Sequence, residues 1–526
     1  MTLSSRISRH SSARPPQRVP QLVLSLIASL FMSAAPGWAG TTADADRAEL
    51  RERFDVSQEE LETLLAIIDE GQNRNQTMDH LRYLSEEIGP RLTGSTNVER
   101  ANHWAAEQFE SFGLENVRQH MWGTIPVRFD RGPSHGRMIS PVEREFEFTA
   151  RAWSAGTDGP ARGRLFREPG TQEEFDAIAD ELEGAWILRP GTRGHRRGVV
   201  PGFDETREFL PDLRAAGIAG LIITSRDDLV RTSRARDWRE LDDDNLPTDV
   251  TAIVRRSDYD AMNSRLHDGE EIIVEFDLNH TFGAGPIENY NTIAEIPGSV
   301  WPDEVVIVSG HLDTWDGPGS QGTTDNGTGT SVTIETARIL AEVGAKPKRT
   351  IRFILWTGEE QGLHGSRAYV DELTEEERAR ISAVLVDDTG TNRQAALQCV
   401  EPMVPMLEWA LEPANYAFPD MPVTTRVSES MQTRGASDHA PFNAAGIPGF
   451  LWRKEGRVEY RYGWHSQHDR MDLAVPEYLV QSSTVSALTA FMLSNADELL
   501  PREIMEEEDR NAEEEEQAAV TTGSVN

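Results

Sequence analysis

Between Asn291 and Val386 short apolar runs alternate with segments of helical period, and this alternation limits the fold more than any other feature of the chain. Asn291–Ile296, Val305–Ser309, Thr350–Trp356 and Ala383–Val386 read as strands, and helices are expected at about Thr330–Val343 and Gly365–Leu373. Strands separated by helices can return in the same direction, so the sheet they build is largely parallel and carries helices on its faces. The expected fold class is α/β, with a mixed, largely parallel sheet sandwiched by helices.

The rest of the chain is arranged around that core. Residues 40–74 place apolar side chains at helical spacing on an acidic background. From Met78 the sequence reads as a helix, a Gly89-Pro90 break, a loop and a second helix ending near Gly113. After Ile125 the character changes. Residues 126–288 hold the β-like runs EFEFTA, GAWILRP, AGLIIT, DVTAIV and EIIVEF, separated by Gly, Pro and charged turns, with one helix near Thr206–Ala216. They are expected to form a β-rich domain inserted between an N-terminal part, 40–125, and the main part, 289–500. Residues 501–526 are a charge run without a core face and read as a disordered acidic tail.

The first 39 residues have the layout of a signal peptide. Arg6, Arg9, Arg14 and Arg18 precede the apolar run Leu22–Ala35, and Gly37 and Ala39 are the small residues before a cut after Ala39. The run is shorter than the ~20 residues a spanning helix needs. The expectation is export to the periplasm or beyond, with no membrane anchor left after cleavage.

Composition narrows the chemistry. The 526 residues suggest roughly three domains. With 52 basic against 88 acidic residues the net charge is −36, and such a surface repels phosphate backbones, so a nucleic-acid partner is not expected. Cys399 is the one cysteine. An internal disulfide and a thiolate metal cluster are therefore excluded, and any metal must sit on His, Asp and Glu. Nothing in the sequence sets an oligomeric state.

In sheets of this kind functional groups gather beyond the carboxyl ends of the strands. Three of the expected strands end in candidate ligands: VVIVSG runs into His311 and Asp313, TIRFILWTG into Glu359-Glu360, and SAVLV into Asp387-Asp388. Asp325, in TTDNGTG, and His465, in YGWHSQHD, are loop candidates. Zinc takes imidazole and carboxylate ligands, and a pair of zinc ions needs a carboxylate between them. A further carboxylate off the metal must carry a proton. Adjacent glutamates at a strand end can divide these tasks, with Glu360 on metal and Glu359 facing the substrate. Asp313 is close enough in sequence to accept the second N–H of the His311 ring. Each group alone has a plain structural reading, as a turn, a solvated pair or a helix cap. Their recurrence at three strand ends is what points to a site.

The segments GHLDTWDGPGSQGTTDNGTG, RFILWTGEEQGLHGSRAYV, VLVDDTG, GASDHAPF and YGWHSQHDRMD resemble the dizinc exopeptidases, a family that includes bacterial leucyl-type aminopeptidases and plasma glutamate carboxypeptidase. The resemblance runs over residues 75–125 and 289–500. It implies two zinc ions per chain and a peptide substrate cut at one end. It implies His311 and Asp388 on the first zinc, Asp325 between the two, and Glu360 and His465 on the second. Glu359 is the implied general base and Asp313 the implied partner of His311. Asp388 is preferred to Asp387 because Thr-Gly-Thr follows it. Residues 126–288 resemble the protease-associated domain many relatives carry. Aminopeptidase action is the expected direction, with carboxypeptidase or dipeptidase action and a non-catalytic, receptor-like scaffold as alternatives. Some relatives place a Tyr directly before the last His. Trp464 stands there in this chain, Tyr460 and Tyr462 are out of place, and the oxyanion donor is unassigned.

Overall fold

A computed structural model describes residues 39–190, 209–235, 237–435 and 437–502. The expected signal segment up to residue 38, residues 206–208 of the expected helix, and the acidic tail from residue 503 lie outside them. The helix Ala39–Phe54 belongs to a first compact unit ending at Gln58. Both large sheets lie in the second unit, which starts at Glu59.

The main sheet has six strands: β1 Glu115–Ile125, β2 Ile287–Ile296, β3 Trp301–His311, β4 Arg349–Trp356, β5 Ile381–Val386 and β6 Gly449–Leu451. Their order across the sheet is β1-β2-β4-β3-β5-β6. β1 with β2 and β2 with β4 are antiparallel; β4, β3, β5 and β6 run parallel. The sheet is thus mixed and largely parallel, as expected. Because the parallel strands share a direction, His311, Trp356, Val386 and Leu451 all lie at one edge.

Helices α1 Thr96–Ser111, α2 Thr328–Glu342, α3 His364–Glu372 and α4 Pro476–Asn495 flank the sheet. Val305, Ile307, Ile354 and Val384 form one apolar layer with Tyr369 and Val370 of α3 and with Phe442. α2 and α4 also pack on β3 and β4, and Val306 and Val308, of the other parity on β3, are equally buried. A strand covered on both faces has no need of polar alternation, which is why VVIV reads as a continuous apolar run. α1 starts on Ser95, whose side chain accepts from the Val98 N–H at 3.2 Å.

The second sheet, of eight strands, is built from residues 128–283. Ala161–Arg167, Trp186–Leu188, Gly220–Thr224 and Thr251–Val254 pair parallel at its centre. Trp186, Ile222, Val274 and Phe276 belong to the core on this sheet. Helices Gln172–Ile178 and Arg256–His267 accompany the expected one, described here as Leu210–Ala215. The chain leaves the main sheet at Ile125 and re-enters at Ile287, and those two residues are partners in the β1–β2 register. The segment between them is therefore an insertion at a hairpin position.

Candidate metal centre

Three segments meet beyond the carboxyl edge of β3, β4 and β5, and two loops close over them. His311 is the last residue of β3. Its Nδ1 lies 2.9 Å from the carbonyl oxygen of Asp313. A carbonyl can only accept, so Nδ1 carries a proton, and Nε2 is the ring atom that would present its lone pair to a metal. That Nε2 faces Asp325 Oδ1 at 3.4 Å and Asp388 Oδ1 at 3.7 Å. His465 Nε2 lies 3.3 Å from Asp325 Oδ2 and 3.0 Å from Glu360 Oε2. Asp325 is thus shared by two ligand triads, His311–Asp325–Asp388 and Asp325–Glu360–His465. Glu359 belongs to neither. Its Oε2 is 4.0 Å from His311 Nε2 and its side chain is 13% exposed, more than Glu360 at 3%, so it sits nearer the mouth.

Local structure accounts for these positions. Asp325 and Asn326 leave helical geometry just before α2, and the peptide bond between them is cis. α2 comes close to the strand ends because Gly329 has no side chain: a Cβ there would meet the Asp387 carbonyl oxygen at 2.0 Å. Glu359 and Glu360 lie in a turn after β4, where Gly362 N–H donates to the Glu359 carbonyl at 2.8 Å. His465 has a left-handed backbone, φ +57°. The Thr232 N–H of the inserted domain holds it, donating to the His465 carbonyl at 2.8 Å.

One sequence expectation changes. The His311 ring bonds the main chain of Asp313, whose carboxylate is farther, at 3.7 Å. That carboxylate accepts instead from Thr93 Oγ1 at 2.7 Å and from the Glu359 and Glu360 N–H groups at 3.4 and 3.3 Å. It braces the turn that carries both glutamates. Asp469 accepts from the N–H and hydroxyl of Thr324 and from the Asp325 N–H at 3.2 Å. It holds the Asp325 loop. Asp387 has both oxygens on Lys454 Nζ at 2.8 Å and one on Gln394 at 2.6 Å, which leaves Asp388 as the one turned to His311.

The electrostatics are those of a cation site. Burial alone would push His311 down, but the carboxylates of Glu359, Asp325 and Asp388 outweigh it and hold its pKa well above the usual value. Burial likewise works against His465, and Glu360 and Asp325 raise it to about 10. Glu360 is lifted to about 7, first by burial and then by Asp325. Glu359 is raised well above the carboxylate range, again first by burial. Two imidazoles therefore face an excess of buried carboxylates. His311 Nε2, Asp325 Oδ2 and Glu360 Oε1 are buried without a hydrogen-bond partner. Buried polar atoms are rarely orphaned, and these three belong to residues of the two triads. The donor set, imidazole nitrogen and carboxylate oxygen, fits zinc.

Residues 291–489 match the profile of Peptidase family M28. This stretch of the chain belongs to peptidase family M28. The M28 stretch includes His311, Asp325, Glu359, Glu360, Asp388 and His465. Over 470 residues the chain is 27% identical to carboxypeptidase Q of Mus musculus, covering 86% of this chain and 93% of that protein. It is 26% identical over 406 residues to aminopeptidase YwaD of Bacillus subtilis (strain 168), covering 76% of this chain and 80% of that one. The crystal structure of a Peptidase M28 precursor from Shewanella amazonensis SB2B shares the fold, with a TM-score of 0.59 at 25% identity over 84% of this chain and 99% of that one. In class the protein is a metallo-exopeptidase.

Other residues of the M28 centre escaped the sequence reading. Arg91 is fully buried beneath it and donates to the carbonyls of Leu312 and Gly322 at 2.8 and 2.7 Å, which ties together the loops after β3 and before α2. Asp438 bonds Ser366 at 2.5 Å and is raised to about 7, chiefly by burial. Tyr460, set aside in the sequence, faces the site: burial first, and then the charges of Asp325, Asp388 and Glu360, push its pKa well above the usual value, and its ring lies over Gly390, where a Cβ would be 2.8 Å away. Trp464 stacks outside the His465 ring at 4.0 Å. The one sequence signal for Tyr460 was its nearness to His465.

Proposed function

We propose that the chain holds two zinc ions, one between His311, Asp325 and Asp388 and one between Asp325, Glu360 and His465, and cleaves terminal residues from short peptides. The observation that carries this reading is the sharing of Asp325 by both triads, with orphaned ligand atoms facing inward. When bound, zinc supplies Lewis acidity that activates water and polarises a carbonyl. Glu359 takes the proton from the attacking water and passes it to the leaving amine; its place off the triads and nearer the mouth suits that task. Asp313 keeps the Glu359 turn in place, and Asp469 keeps the Asp325 loop. The full ligand set speaks against a receptor-like scaffold.

The aminopeptidase direction rests on family analogy, and relatives of both names match the chain. Arg239, on His364, and Arg367, on the Gly362 carbonyl, stand beside the Glu359 turn and favour substrates with a free carboxylate. Carboxypeptidase or dipeptidase action is therefore the direction the geometry supports best. Export agrees with the N-terminal layout, and no described helix is long and apolar enough to cross a membrane. The inserted sheet takes the part of a protease-associated domain. The test is metal analysis with kinetics on the purified chain. Two zinc ions per chain are expected, and Glu359→Gln is expected to keep both while slowing turnover by about 10²-fold or more. One zinc per chain, or near wild-type turnover in that variant, sinks the reading.

A further inference from the structure

The inserted domain reaches over the metal centre with one segment, Arg231–Arg239. At its start Arg231 bridges to Ser466 and the Thr232 N–H holds His465. The loop after Asp316 packs on it so closely that a Cβ on Gly317 would meet Thr232 Oγ1 at 2.0 Å. At its far end Trp238 is anchored by stacking on Trp153 at 4.5 Å. There Arg239 Nη2 lies 2.5 Å from His364 Nε2. His364 in turn belongs to the Glu359 turn, its N–H donating to the Gly358 carbonyl at 2.9 Å. The segment therefore spans from the His465 loop to the Glu359 turn, and Arg234 lies between the two anchors.

The charges on this span are unusual for the chain. The net charge is −36, and Arg131, Arg255 and Arg338 of this chain are each held by a carboxylate. Arg234, Arg239 and Arg367 have no carboxylate within salt-bridge distance among the described residues. Arg367 donates to the Gly362 carbonyl at 3.3 Å. Arg239 spends one N–H on His364, which must accept because a guanidinium can only donate. Arg234 has no hydrogen bond or ion pair to any described residue. The three converge on His364: burial, and then the charges of Arg239, Arg234 and Arg367, lower its pKa to about 4. Asp313 acts on His364 in the opposite sense and is outweighed, and an excess of like charge costs energy that a bound anion reduces.

Resting on the dizinc reading above, we propose that Arg234 and Arg239, with Arg367 behind them, form the subsite for the free carboxylate of a short peptide substrate. A forked guanidinium matches a carboxylate with two parallel hydrogen bonds. The position beside the Glu359 turn puts the substrate carboxylate on the mouth side of the metal centre. In a strongly acidic molecule this patch also gives an anionic substrate a local landing point that the bulk surface denies it. Recognition of the carboxylate selects short peptides with a free C-terminus over the same peptides as amides.

The test compares zinc-loaded full-length wild type, Arg234→Gln, Arg239→Gln and Arg234→Lys on one dipeptide as free acid and as C-terminal amide. Wild type is expected to prefer the acid. Each Gln variant is expected to lower the acid-to-amide ratio of kcat/KM by at least about tenfold, the scale of one charge-assisted hydrogen bond. The loss should fall on KM for the acid, with Arg234→Lys recovering part of it. Inhibition by the free amino acid product, compared with its amide, should weaken in parallel. An acid-to-amide ratio within twofold of wild type in both Gln variants, with hydrolysis intact, overturns the subsite and leaves the dizinc reading standing. Wild-type protein that carries two zinc ions and cleaves neither peptide overturns the proposed terminal cleavage and the subsite with it.

Discussion

Adjacent residues at a strand end point to opposite faces, and Asp387 and Asp388 divide on that rule. Asp387 turns to Lys454, its buried counter-ion 67 residues later; Asp388 turns to His311. In sequence the two are interchangeable, because the partner that removes Asp387 from the site lies in another segment. Tyr460 is a second case. Some relatives have a tyrosine directly before the last histidine, yet the buried phenol that feels the charges of Asp325, Asp388 and Glu360 stands five positions before His465, on the short helix Tyr460–Gly463. Its place beside both triads makes it the candidate donor to the oxyanion that forms when the scissile carbonyl is attacked. Tyr460→Phe is expected to keep the full zinc content and KM while kcat falls by about 10²-fold, the usual cost of one such donor. Wild-type kcat in that variant would remove Tyr460 from the chemistry.

Elements that the sequence made plain are those whose faces are uniform. β3, β4 and β5 are buried on both sides and read as apolar runs; α2 and α3 follow them with clear boundaries. β1 and the long strand Arg128–Ser140 did not stand out. β1 mixes polar and apolar residues and has register shifts at two places, and Arg128–Ser140 is charged, contains Gly132-Pro133 and shifts register between Arg131 and Ser134. A shift changes which parity faces the core, so no single alternation survives along the strand. The partner of that strand, Ile273–Gly283, carries His280, whose Nδ1 donates to the Ser154 carbonyl at 3.0 Å and whose Nε2 accepts from Arg131 at 2.7 Å. Arg131 in turn pairs with Asp316, beyond β3. Burial first, and then Arg131, lower the His280 pKa to about 3. The unfolded chain takes up this proton near pH 6.5, whereas the folded chain refuses it until about pH 3. His280 therefore costs nothing above pH 6.5 and destabilises the fold increasingly as the pH drops toward 3. Urea denaturation at pH 7, 6 and 5 should show wild type losing stability more steeply than His280→Gln, by up to about 1.4 kcal/mol per pH unit. Parallel profiles would show that His280 titrates alike in both states.

At the scale of the whole molecule, the residues that meet in the two triads were legible because each follows a recognisable strand or turn within a few positions. What lay beyond reach were the long-range partners that orient them: Arg91 beneath the β3 loop, Lys454 on Asp387, and the Arg231–Arg239 span from a domain inserted far from His465 in sequence. These partners make the centre a junction. Segments ending at His311, Asp325, Glu360, Asp388 and His465 converge on it, and Thr232 ties the inserted domain to the last of them. Without a cation, the buried carboxylates of Asp325, Asp388, Glu359 and Glu360 repel one another, and burial already pushes Glu359 and Glu360 toward the protonated form. A bound metal thus stabilises the packing of all five segments, and its contribution adds to the stability of the fold by mass action. Zinc at 100 times its dissociation constant is worth about 2.7 kcal/mol per site, so under the two-zinc proposal stripping the metal with a chelator is expected to lower Tm by at least about 5 °C. Asp325→Asn weakens both sites at once and should lose most of this zinc-dependent shift, whereas Glu359→Gln, outside both triads, should keep it. A chelator-treated protein that melts with the zinc-loaded one would mean that the five segments hold their arrangement without the metal.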